Sequence, residues 1–123
     1  MVVVIIEAQV PPEKWEALRK VVKSGMSEMK LFPIAEIFLI QSKAEPTLWR
    51  IISVWYSWAD LSEAQSKGSL PGEMMFVLVG AKPITSTFDV IAHAQKSLED
   101  PGWVKVCSVI HRLKKQIKNI CNT

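Results

Sequence analysis

Residues 48–90 read LWRIISVWYSWADLSEAQSKGSLPGEMMFVLVGAKPITSTFDV, and this stretch decides the fold. Residues 47–57 are rich in β-branched and aromatic side chains (Ile51, Ile52, Val54, Trp55) and read as a strand. Residues 59–67 read as a short helix, with Ser57 or Asp60 near its start and Gly68 at its end. Leu70-Pro71-Gly72 breaks the chain. The apolar run 73–79 fits either helix or strand by periodicity. Gly80-Ala81-Lys82-Pro83 closes it, and residues 84–92 read as a last strand.

Upstream, residues 2–10 form a β-branched run stopped by Pro11-Pro12. Pro12 suits the first turn of a helix, and Glu13 and Glu16 suit its positive end. Trp15, Leu18, Val21 and Val22 recur at helical spacing, which predicts an amphipathic helix over 12–24 with Gly25 as its stop. Residues 26–32 read as a connection up to Pro33, and 34–42 as a strand. Lys43-Ala44-Glu45-Pro46 is short and polar enough for the hairpin turn that leads into 47–57.

The Val54-Trp55-x-Ser57 strand end, the helix after it, and Phe76 through Gly80-Ala81-Lys82-Pro83 to Phe88-Asp89-Val90 carry a resemblance. Residues 2–93 resemble the antibiotic-biosynthesis-monooxygenase family of dimeric α+β barrels. The resemblance implies a short helix at 73–79 and a ligand held between sheet and helices. It also implies direct oxidation of a small aromatic or quinol-like substrate by oxygen with no cofactor.

The resulting order, βαββα(α)β, is an α+β ferredoxin-like fold with an antiparallel sheet. Right-handed crossovers put the helices on one face. A sheet covered on one side should alternate apolar and polar residues, yet these strands are apolar at both parities: Val2/Val4/Ile6 and Val3/Ile5, Phe38/Ile40 and Ile37/Leu39. The helix-free face therefore needs a cover, and the simplest is the same face of a second copy. A chain of 123 residues that is 49% hydrophobic points the same way, because so small a domain buries a limited share of its own surface.

Residues 1–93 are expected to form this domain, and 94–123 a linker with an appended helix. Asp100-Pro101 would cap that helix, and Trp103, Cys107, Ile110, Ile117 and Ile120 would form its apolar stripe. If helical, Cys107 and Cys121 lie about 21 Å apart along the axis. That separation is too great for a disulfide, so both read as free thiols of a reducing, cytoplasmic setting.

The charge balance excludes some functions. Residues 1–100 carry ten Lys/Arg against twelve Asp/Glu, and all five charges of the last 23 residues are basic. A mildly acidic body is not the basic, aromatic-interleaved surface of a nucleic-acid binder. The longest apolar runs fall far short of the roughly 18–20 residues a membrane span needs, so a membrane role would fall to the tail helix alone.

Five residues are candidates for the pocket, namely Glu36, Trp55, Met75, Phe76 and Phe88. Trp55 offers a stacking surface or a core anchor. Met75 and Phe76, with Met74, offer a soft wall or plain core. Glu36 and Glu7 are acids inside apolar strands, a setting that can make a general base. The alternative is an ion pair with Arg50, expected for Glu36 across the hairpin. His93 is a second acid/base candidate or a solvated strand-end residue. Some relatives of the family degrade haem with a ligating His after the second helix, but residues 68–73 here contain none. Cys107 and His111 share a helical face, but two residues do not make the three- or four-ligand set a zinc site needs. No metal or cofactor is expected. A non-catalytic small-ligand-binding or assembly module of the same fold stands as the other reading.

Overall fold

The computed structural model describes residues 1–94. The helix expected after Asp100-Pro101, with Cys107, His111 and Cys121, lies outside the described residues.

The strands are β1 (Val2–Gln9), β2 (Ile34–Gln41), β3 (Leu48–Trp55) and β4 (Ile84–Asp89), and the helices are α1 (Trp15–Met29), α2 (Trp58–Ser66) and α3 (Pro71–Leu78). The sheet is antiparallel throughout in the order β2-β3-β1-β4. This is the ferredoxin-like α+β arrangement. Residues Met1–Ile91 make one compact unit.

The register fixes the two faces. Val2, Val4, Ile6 and Ala8 stand opposite Trp55, Ser53, Ile51 and Trp49, and all eight are buried. Leu18 and Val22 of α1, Leu61 of α2 and Phe76 of α3 close the core on that side. The opposite parity, Val3, Ile5, Ile52 and Val54, is half-buried on a face that no helix among the described residues covers. Its apolar margin is open: Phe38, Ile40, Ile84 and Phe88 are 46, 40, 64 and 52% exposed. Strand parity thus alternates in burial although the sequence hardly alternates in polarity.

Two expectations change besides a strand boundary. Gly25 does not stop α1; the helix runs to Met29 and is capped at Lys30. The reason is a close approach to α3: a β-carbon at Gly25 would overlap the terminal methyl of Met75. The ion pair of Arg50 is with Glu7, Nε to Oε2 at 2.8 Å, and not with Glu36. Glu7 lies directly opposite Arg50, whereas Glu36 lies opposite Val54.

The helix expected at 73–79 is α3, which begins at Pro71 and ends at Leu78 with Val79 as its C-cap. Pro71 occupies the first turn, and the Glu73 carboxylate accepts the Leu70 N–H at 2.9 Å. At the other end Gly80, at φ +80°, donates to Val77 O while Ala81 N–H reaches back to Phe76 O. Those two bonds make a Schellman stop, so Gly80-Ala81-Lys82-Pro83 is a helix terminator. The Ser57 hydroxyl caps α2 by accepting the Asp60 N–H at 3.1 Å. Strand β4 ends at Asp89, three residues short of the expected boundary.

Candidate functional site

Between α1 and α3 runs an open groove of about 660 Å3. The α1 wall carries Lys20, Ser24 and Glu28 at four-residue spacing, one above the other on a single helical face. Val21 and Gly25 lie beside them, and Phe32 and Ser69 complete the lining. The facing wall is apolar: Pro71, Met74, Met75 and Leu78 of α3. Because Gly25 has no side chain, Met75 can lie in the cleft between the helices. Gly72 plays the matching role beneath, where a β-carbon would stand 2.8 Å from Ile6 Cδ1 and 3.3 Å from Ile51 Cγ2. Its absence lets the start of α3 sit directly on the sheet.

The interior between sheet and helices is filled. Trp55 and Phe76 are 1% and 0% exposed. The indole N–H of Trp55 is committed inside the protein, donating to Ser53 Oγ at 2.9 Å. Phe32 meets Trp55 edge-on, with centroids 6.0 Å apart and an interplanar angle of 67°. Such a pair adds about 0.5–1.5 kcal/mol beyond area burial. Trp55 and Phe76 are thus packed as core, and only Met75 of that group also reaches the groove.

The remaining sequence candidates are elsewhere. A β-bulge between Ile34 and Glu36 reverses strand parity, so Ile34 faces the helices and Glu36 the helix-free side. Phe88 lies opposite Val3 and shares that side. His93 is exposed, beyond the end of β4. Glu36, Phe88 and His93 therefore do not meet Trp55, Met75 and Phe76. The polar residues that α1 gives the groove, Lys20, Ser24 and Glu28, were not singled out from sequence. Their signal is the four-residue spacing beside a glycine in a helix that runs past it.

A second polar contact joins α2 to β4, where the Trp58 indole N–H donates to Asp89 Oδ1. Among the described residues, no three His, Cys, Asp or Glu side chains are placed to share a metal ion. No helix among them is long and apolar enough to cross a membrane.

Solved structures share this architecture. One named as a candidate antibiotic biosynthesis monooxygenase from Deinococcus radiodurans superposes with a TM-score of 0.61 at 11% identity, over 79% of this chain and 99% of that one. The chain shares the fold of that protein. A protein so named from Nitrosomonas europaea gives 0.60 at 15% identity, over 75% and 100% of the two chains. Another, from Caulobacter crescentus CB15, gives 0.59 at 18%, over 74% and 90%. No family model and no curated protein matches the sequence. At these identities the likeness concerns the fold alone.

Proposed function

We propose that this protein is a monooxygenase of the antibiotic-biosynthesis type, oxidising a small aromatic or quinol-like molecule bound between α1 and α3. The observation that carries this reading is the groove itself. Its volume of about 660 Å3 falls in the range of small-molecule sites, and an apolar wall with a few aligned polar groups is their usual lining. The names of the structural neighbours supply the reaction class.

The chemistry asked of the site is modest. A proton leaves the substrate carbon, and the resulting carbanion adds to oxygen, forming one C–O bond. Loss of water then leaves a carbonyl. The carbon gives up two hydrogens and gains one oxygen atom, and the other oxygen departs in the water. In this scheme Glu28 takes the proton, Lys20 holds the developing ring oxyanion, and the α3 wall excludes water from one side of the ring.

A second copy covering the helix-free face completes the proposal. Phe38, Ile40, Ile84 and Phe88 line that face around Val3, Ile5, Ile52 and Val54, and a face of this kind on a small domain marks an association surface. Residues 1–93 would then be the barrel-forming domain and 94–123 an appendage to it.

One observation favours a second reading, a binding module without turnover. The space under the helices is occupied by Trp55 and Phe76, leaving an open groove in place of a closed chamber. Oxygen uptake by purified protein decides between the readings, measured against quinols, anthrones and flavonoids with a chelator present. Monooxygenase activity gives protein-dependent uptake that survives the chelator and drops at least about a hundredfold in Glu28→Gln. A flat trace from protein that still binds panel members establishes the binding module.

A further inference from the structure

All five methionines of the chain fall in the described residues, and four of them flank the α1–α3 contact. Their exposures differ sharply. Met29 is 2% and Met75 6% exposed, and Met26 is half-buried against the core. Met74, on the groove wall, is 46% exposed. The residue is nearly half exposed, and it borders the same apolar surface as Pro71 and Leu78. Met1, ahead of β1, has a similar exposure of 43% and no place in the groove.

We propose that Met74 is a modification site, a peroxide-sensitive gate on the groove. The oxidant is hydrogen peroxide. The Met74 sulfur attacks one peroxide oxygen, the O–O bond breaks, and an S–O bond forms. The other oxygen leaves as water, so sulfur is oxidised by two electrons and peroxide reduced by two. The sulfoxide is polar and chiral where the thioether was apolar and soft. A ligand covering it would bury that S–O group facing hydrocarbon, and an unpaired polar group so buried costs enough to weaken binding about tenfold or more. Met75 has the same chemistry and is shielded, its methyl lying in the space over Gly25. Selectivity here comes from packing and not from intrinsic reactivity.

The gate rests on the groove being the ligand site, and the experiment separates the two. Purified protein is treated with graded hydrogen peroxide, and sulfoxide at each methionine is quantified by peptide mass spectrometry. Binding of anilinonaphthalene sulfonate, an apolar fluorescent probe, is titrated on the same samples and on Met74→Leu. The expected result has Met74 and Met1 oxidised well ahead of Met26, Met29 and Met75. Probe affinity then falls about tenfold or more in the wild type and stays unchanged in Met74→Leu. Oxidation of Met75 or Met29 alongside Met74 overturns the site. Probe binding that survives complete Met74 sulfoxidation overturns the gate while leaving the groove reading intact. Untreated protein that binds no probe overturns both.

Discussion

Gly25 of α1 and Met75 of α3 occupy one volume: the space a side chain would take on Gly25 is filled by the end of the Met75 side chain. That exchange sets the depth of the groove and explains why a helix is carried past a glycine that looks like its stop. Replacing Gly25 with alanine should push aside a flexible thioether end and leave the backbone in place. The gain in helix propensity, about 0.5–1 kcal/mol, should roughly offset the repacking. Urea unfolding should find stability changed by less than about 1 kcal/mol, while probe affinity for the groove falls.

Gly72 should behave differently. Its neighbours are Ile6 and Ile51, side chains locked in the core, and not the loose end of a methionine. Gly72→Ala should therefore overpack the seat of α3 on the sheet and lower stability by about 1–3 kcal/mol. The urea midpoint should drop with an unchanged slope. Equal midpoints for the two alanine variants would contradict this picture of the helix pair.

Ser53→Ala should cost about 1–3 kcal/mol, because it strands the Trp55 indole N–H in the core without an acceptor. A thermal melt reads the loss. The double variant Ser53→Ala, Trp55→Phe should lose less than the sum of its single changes, since the stranded donor is gone.

Phe88→Asp, on the helix-free face, should shift the protein from dimer to monomer in sedimentation without unfolding it. Glu36→Gln lies on that same face and should leave groove affinity within error. A wild-type protein that sediments as a stable monomer contradicts the proposed cover for this face.

The sheet was legible because its strands are short, β-branched and punctuated by Pro11-Pro12, Pro33 and the turn around Glu45-Pro46. Helix α3 was not legible from periodicity, because residues 74–79 are apolar without a break. The family resemblance implied it, and the Pro71 start and Gly80 stop supply its physical cause. The site was less legible than the fold, for local reasons. One bulged residue between Ile34 and Glu36 moved an acid to the far side of the sheet. Strand pairing, which sequence does not specify, gave Arg50 to Glu7 and put Phe88 beside Val3. The groove depends on a glycine and a methionine fifty residues apart meeting across two helices.

The most direct test of the groove as the ligand site is methionine-methyl NMR of the protein titrated with an anthrone. Five methyl groups report at once: two on the α3 side of the groove, two on α1 and one ahead of β1. A ligand in the groove gives saturable shifts of Met74 and Met75, with Met1 and Met29 still. Shifts confined to Met1, or none at ligand concentrations that support oxygen uptake, would place the ligand elsewhere and contradict the groove as its site.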